Sequence, residues 1–238
     1  MKLRIDKMLS NIGLGSRKEI KQDAKQGHIK INSIVEKDSS RIIDTDKDEI
    51  RYKGETVKYI KYIYLMMNKP KGVVSATEDN YDKTVIDLLK DEDKFYNPFP
   101  VGRLDKDTEG LLLLTNDGQL AHDLLSPKKH VDKTYYAEVE EEVTEEDVKA
   151  FAEGVLLTNE NYKTLPAGLE IIESGYPSSC YVTIKEGKFH QVKRMFNAVN
   201  NEVIYLKRLS MGPIKLDEKL KLGEYRHLTE EELKLLIP

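Results

Sequence analysis

Asp105 is the carboxylate best placed for chemistry. It ends the run Gly102-Arg103-Leu104-Asp105, which sets a cation two residues from a carboxylate, beside a glycine that lets the backbone bend. Leu111 to Thr115 follows as an apolar run of strand length, closed by the turn residues Asn116-Asp117-Gly118. A charged loop leading straight into a buried strand can hold a reactive carboxylate rigidly and leave it accessible. Two other stretches carry groups that could work beside it. Lys133-Thr134-Tyr135 opens an alternating segment, and His190, Gln191, Lys193 and Arg194 crowd the start of a helical one.

Metal chemistry is the first competitor. Asp105, Asp107, Glu109 and Gly110 nearly match the opening of an EF-hand calcium loop, but the twelfth position, which must be a bidentate Glu, is Asn116. Four consecutive leucines also occupy places that should be loop. A nuclease using Asp105, Asp107 and Glu109 on a divalent metal is a second such reading, and retention of full activity in a chelator would exclude it. His122, His130, His190 and His227 are scattered along the chain, and Cys180 is the sole cysteine, which rules out an internal disulfide and a multi-Cys zinc site. No metal is expected. Neither G-x-x-x-x-G-K-[ST] nor G-x-G-x-x-G occurs, so no nucleotide cofactor is expected either.

The elements that must position these groups can be read from periodicity. Tyr62 to Met67 reads as a strand, Asn68 to Gly72 as a turn, Val73 to Ala76 as a second strand and Thr84 to Leu89 as a short helix. Gln119 to Leu125 is helical. Lys133 to Val139 alternates, so Tyr135, Ala137 and Val139 share one face of a strand and Tyr136 and Glu138 the other. Thr144 starts a helix that Gly154 closes. Leu169 to Ile172, Ser179 to Lys185 and Val203 to Leu209 read as strands, Phe189 to Val199 as a helix, and Thr229 opens a last helix to Leu236. Short turns join these pieces without βαβ alternation, which predicts an α+β fold with a mainly antiparallel sheet.

Residues 1–60 read as a separate small module and residues 61–238 as the larger domain. The net charge is −4, yet residues 1–30 carry eight Lys/Arg against three acids, an asymmetry that points to a polyanion-binding end. Ile5, Met8, Leu9 and Ile12 have helical spacing, Ser16 to Glu19 forms a capping box for a second helix ending at Gly27, and a strand at His28 to Ile31 turns at Asn32-Ser33. Arg17, Lys21 and Lys25 share a face of the second helix, while Ile20 and Ala24 lie on another. Asp44 to Lys58 reads as a charged, Gly-interrupted segment leading into a linker. No apolar stretch approaches the ~20 residues that span a bilayer, and the charged N-terminus does not read as a signal peptide. With one cysteine, a reducing cytoplasm is the expected compartment.

The front of the chain resembles the S4 RNA-binding domain through Arg4, Ile5, Asp6, Lys7, Leu9, Gly13, Ser16, Arg17, Gly27, Ile31 and Asn32, departing from the pattern at Ser33 and at Asp23-Ala24. Four ordered motifs, Gly102 to Gly118, Asn68 to Gly72, Lys133 to Tyr135 and Glu186 to Phe196, make nearly the whole chain resemble the pseudouridine synthases that carry an S4 domain, the RsuA-type enzymes of ribosomal RNA.

That resemblance implies a role for each matched position. Asp105 is the catalytic carboxylate that attacks or assists the departure of uracil from ribose, Lys193 holds the cation position beside it where many relatives have Arg, and Tyr135 stacks on the uracil. Arg103 fills or holds the place the flipped base leaves. Arg4, Lys7, Ser16, Arg17, Lys18 and Lys21 of the front module, together with Lys69, Lys71, Lys128, Lys129, His190, Gln191 and Arg194, contact RNA. The implied partner is ribosomal RNA, free or in an assembly intermediate, met by a monomer without cofactor or membrane. Lys193 in the H-Q-V-K-R-M form favours the small-subunit RNA over the large. A non-catalytic RNA-binding or assembly protein is the alternative from another class, and the presence of Asp105 discriminates against it.

Overall fold

The computed structural model describes residues 2–126, 129–157 and 161–237. The chain forms two compact units: Met1–Ile63 with Lys90–Pro98, and Tyr64–Leu89 with Phe99–Pro238.

In the first unit the helices Ile5–Asn11 and Arg17–Lys25 bury Ile5, Met8, Leu9, Ile20 and Ala24 against Ile29, Ile31, Ile43, Ile50 and Tyr52. Spacings of three and four put these residues on one stripe of each helix. Ser16 caps the second helix by accepting from Glu19 N–H, and the Glu19 carboxylate accepts from Ser16 N–H at 2.7 Å. The strands run in the order Ile34–Val35, Ile29–Ile31, Ile50–Tyr52, Glu55–Val57. The charged segment Asp44 to Lys58, expected to end the module and lead into a linker, thus supplies two of the module's strands. Ile50–Tyr52 and Glu55–Val57 pair as a hairpin through Lys53-Gly54, both at positive φ. Its outward charges, Arg51, Lys53 and Glu55, obscure the alternation that buries Ile50 and Tyr52. The short helix Asp91–Lys94 belongs to this unit, and the Phe95 ring that follows lies against Gly13.

The second unit is built on a nine-stranded sheet. Its main path is Gly168–Glu173, Ser178–Ile184, Lys133–Val139, Val203–Met211, Glu109–Thr115, Tyr64–Lys69, Tyr225–His227. All neighbours are antiparallel except the central pair, where Lys207 faces Glu109 and Arg208 faces Gly110 in parallel. The alternation at Lys133–Val139 is as expected, with Tyr135, Ala137 and Val139 buried. Glu109–Thr115 is buried along nearly all its length, on both faces, so its leucines form a run without alternation; Leu111 and Leu113 share a core with Leu120, Ala121 and Leu124. Gly110 makes the parallel contact possible. At φ +100 it lies so close to Arg208 that a Cβ would stand 2.2 Å from the Arg208 carbonyl oxygen.

Two expectations fail beside this sheet. The first strand runs to Lys69, into the expected turn, and Val73 to Ala76 makes a single bridge, Val74 to Thr84, in place of a strand. The helix expected from Phe189 begins at Gln191, because His190 sits in the left-handed region at φ 48. Among the described residues no helix is long and apolar enough to cross a membrane.

Candidate active site

Asp105 lies on the loop between the two-residue strand Phe99–Pro100 and Glu109–Thr115, and that loop is tied down from below. Lys69 is fully buried at the end of its strand. Its ammonium donates to the carbonyl oxygens of Thr108 at 2.8 Å, Asp105 at 3.0 Å, Pro70 at 3.1 Å and Lys106 at 3.4 Å. Burial pushes this amine down to about 8, against the attraction of Asp107, Asp105 and Glu109. Gly72 N–H donates to Lys106 O at 2.7 Å. Ser75 Oγ donates to Leu104 O and accepts from Leu104 N–H at 2.9 and 3.1 Å, fixing the residue just before Asp105. The Asn68 to Gly72 motif is thus a clamp on the Asp105 loop. Its lysine is not the phosphate contact expected from sequence, because its charged end has no surface.

Above the clamp the Asp105 carboxylate is about a quarter exposed. Lys193 Nζ stands 3.5 Å from its Oδ2 and His190 Nε2 stands 3.5 Å from its Oδ1. Lys193 makes its closer contact elsewhere, 2.6 Å from Asp107 Oδ1. Burial pushes the Asp107 pKa up, and the hydrogen bond and charge of Lys193 outweigh that and hold it below the ordinary carboxylate value. One lysine therefore bridges two carboxylates, which brings Asp107 into the site beside Asp105. Glu109, at the start of its strand, accepts from Tyr205 OH on the neighbouring strand at 2.8 Å.

These groups open on a cavity of about 60 Å³ whose lining includes Arg103, Asp105, Thr108, Tyr135, His190 and Lys193. Tyr135, Ile184, Val192 and Leu206 supply nearly dry apolar walls. Buried Thr108 Oγ1 has no hydrogen-bond partner among the described residues. The cavity offers a carboxylate with cations at its rim and an aromatic ring within it, which suits a flat base held against a nucleophile. A larger concavity, about 710 Å³, opens on the opposite sheet face beside Thr134 and Lys207, away from Asp105.

The other expected RNA contacts divide. Arg17, Lys18 and Lys21 are exposed on the second helix, with Ile20 and Ala24 buried beneath, and Lys7, Lys71, Lys129 and Arg103 are exposed. Arg4 is half exposed but forks onto buried Asp6, at 3.0 and 2.6 Å. Ser16 is a correction: its hydroxyl donates to Glu19 at 2.7 Å within the helix cap, so the donor expected for phosphate is engaged. Gln191 is another. It is buried, accepts from Lys188 N–H at 2.9 Å and donates to Glu186 at 2.8 Å, which shapes the turn before the helix. Arg194 braces the same turn through Phe189 O at 3.3 Å. Lys128 lies outside the described residues.

The carboxylate loop clamped by a buried lysine, the sheet tyrosine and the helix that brings a cation to the site all lie in a stretch that matches a known family. Residues 63–198 match the RNA pseudouridylate synthase model, and the chain belongs to that family. Residues 3–50 match the S4 domain. The chain is 55% identical over 98% of both sequences to a Bacillus subtilis protein named uncharacterized RNA pseudouridine synthase. It is 42% identical, over 97% of both, to the ribosomal small subunit pseudouridine synthase A of Yersinia pestis. A crystal structure of a pseudouridylate synthase superposes with a TM-score of 0.70 at 39% identity, covering 99% of this chain and all of that one.

Proposed function

We propose that this chain isomerises a uridine of small-subunit ribosomal RNA to pseudouridine, with Asp105 as the attacking carboxylate. The observation that carries the proposal is the convergence of Asp105, Lys193 and Tyr135 on one cavity. Relatives named ribosomal small subunit pseudouridine synthase A match nearly the full length, which supports the substrate class.

The reaction needs nothing from outside, so no cofactor takes part. The bond from ribose to the uracil nitrogen breaks, the base turns over, and a bond from ribose to carbon replaces it. The proton lost from that carbon balances the one gained by nitrogen. Asp105 attacks or assists departure, Lys193 sets a cation beside it, and Tyr135 stacks on the base while it turns. A base must leave its helix to reach Asp105, at a cost of a few kcal/mol, and Arg103 at the rim holds the vacated place. Residues 1–60 act as the RNA-binding domain, through Arg17, Lys18, Lys21 and Lys7, and residues 61–238 as the catalytic domain. The protein works as a monomer in the cytoplasm, on ribosomal RNA or an assembly intermediate, as a step of ribosome biogenesis. Mapping pseudouridines in ribosomal RNA from cells with and without the protein tests this. One small-subunit site should disappear in its absence, and an unchanged map would overturn the proposal.

A further inference from the structure

Phe189 is 74% exposed, an apolar ring left largely in water. It is not on a loose loop. Its carbonyl oxygen accepts from Arg194 Nη1 at 3.3 Å, the preceding Lys188 donates its N–H to buried Gln191 at 2.9 Å, and the Lys188 ammonium sits 4.6 Å over the Tyr162 ring. One face of the phenyl ring is stacked on His190, with centroids 3.7 Å apart and planes at 20°. His190 in turn is held at φ 48, a strained region for a residue with a side chain, and stands 3.5 Å from the Asp105 carboxylate. The turn thus fixes an apolar ring in water at the mouth of the catalytic cavity, with one face backed and one face open. Fold stability gives no reason to hold an exposed phenyl so firmly. An open aromatic face is a platform on which any unpaired nucleobase stacks.

We infer that the open face of Phe189 stacks on a nucleobase adjacent to the target uridine. This inference rests on the proposed RNA substrate and adds a second anchor, outside the cavity that takes the target base. The cavity lining already provides Tyr135 for the base that reacts. A neighbour stacked on Phe189 holds the strand so that the flipped nucleotide lies over Asp105, and His190 links the two places. Stacking is tolerant of base identity, so the platform fixes strand register at the site and leaves the choice of sequence to other contacts.

The test uses the full-length protein with Phe189→Leu, Phe189→Trp and wild type. Leucine keeps an apolar side chain without a ring face, and tryptophan restores one. The binding probe is a single-stranded oligoribonucleotide with one uridine and a 2-aminopurine on its 5′ or 3′ side. The kinetic substrate is a small-subunit ribosomal RNA transcript. Wild type should quench the fluorophore on one side only. Phe189→Leu should abolish that quenching and raise KM about ten-fold, with the loss concentrated in KM, and Phe189→Trp should recover both. Equal quenching and KM in wild type and Phe189→Leu would overturn the inference, as would a loss that tryptophan does not rescue. Wild type that forms no pseudouridine in the transcript counts against the proposed function; the quenching arm still decides whether Phe189 stacks on a base.

Discussion

The Lys69 ammonium donates, at 3.0 Å, to the main-chain carbonyl oxygen of Asp105, so the carboxylate proposed to attack is positioned by a buried cation beneath its own peptide. Three other carbonyl oxygens, of Pro70, Lys106 and Thr108, share that ammonium. Replacing Lys69 by Met should leave these acceptors unpaired and destabilise the fold by about 2–3 kcal/mol, less whatever relief comes from removing a buried charge. The loop should lose its fixed geometry as well. Urea unfolding and kcat on ribosomal RNA check the two effects; a variant as active as wild type would contradict the clamp.

The same amine makes a pH prediction with opposite signs for stability and activity. Its ordinary value is 10.5 and burial lowers it to about 8. Below about 8 the folded and unfolded chains both hold the proton. Between about 8 and 10.5 the unfolded chain binds it and the folded chain does not, so this group's contribution to stability rises with pH there. A neutral amine has fewer N–H groups to share among four carbonyls, so kcat should fall as pH passes about 8. A pH–kcat series in wild type and Lys69→Met should show that step in wild type only.

Lys193 bridges Asp107 at 2.6 Å and Asp105 at 3.5 Å. Lys193→Met should lower kcat/KM about 10²-fold, because two neighbouring carboxylates lose their shared cation. Asp107 should then titrate at a higher pH than in wild type, since burial loses its main opponent. Steady-state rates and NMR titration of the Asp107 carboxyl measure these. Lys193→Arg should retain most activity, and equal loss in both variants would argue against a role through charge.

Much of the fold was legible because its elements carry strong local signals. The Lys133–Val139 alternation, the capping box at Ser16, the helix starts at Thr144 and Thr229, and the leucine strand lie where the sequence places them. Asp105, Lys193 and Tyr135 come together as expected. What was missed depends on contacts distant in sequence. Lys69 reads as a surface group by residue type, and only its partners, 36 to 39 residues away for three of its carbonyls, reveal it as buried. Ser75 gives no local sign that it holds Leu104. The hairpin at Ile50–Tyr52 was hidden because charge on every second position resembles linker composition over so short a stretch.

Gly110 tolerates no side chain. Gly110→Ala would place a methyl 2.2 Å from Arg208 O at φ +100, so the parallel pair must separate. Roughly 3 kcal/mol or more of destabilisation is expected from overpacking and strain together. Thermal unfolding checks it; a shift of less than about 1 °C would contradict the close approach.

Exposed Arg17 and Lys21 share a face of their helix. If each meets a phosphate, replacing both by Ala should weaken binding about equally across RNA sequences and flatten the plot of log affinity against log salt by about 0.7–0.9 per lost contact. An unchanged slope would remove them from the interface.

The most direct test incubates purified wild type and Asp105→Asn with a small-subunit ribosomal RNA transcript and counts pseudouridine formed. Asn keeps the size of the side chain and removes its charge. Wild type should convert one uridine, and the variant should bind the RNA and form none. Pseudouridine made by Asp105→Asn at a rate near that of wild type would contradict the central role of this carboxylate.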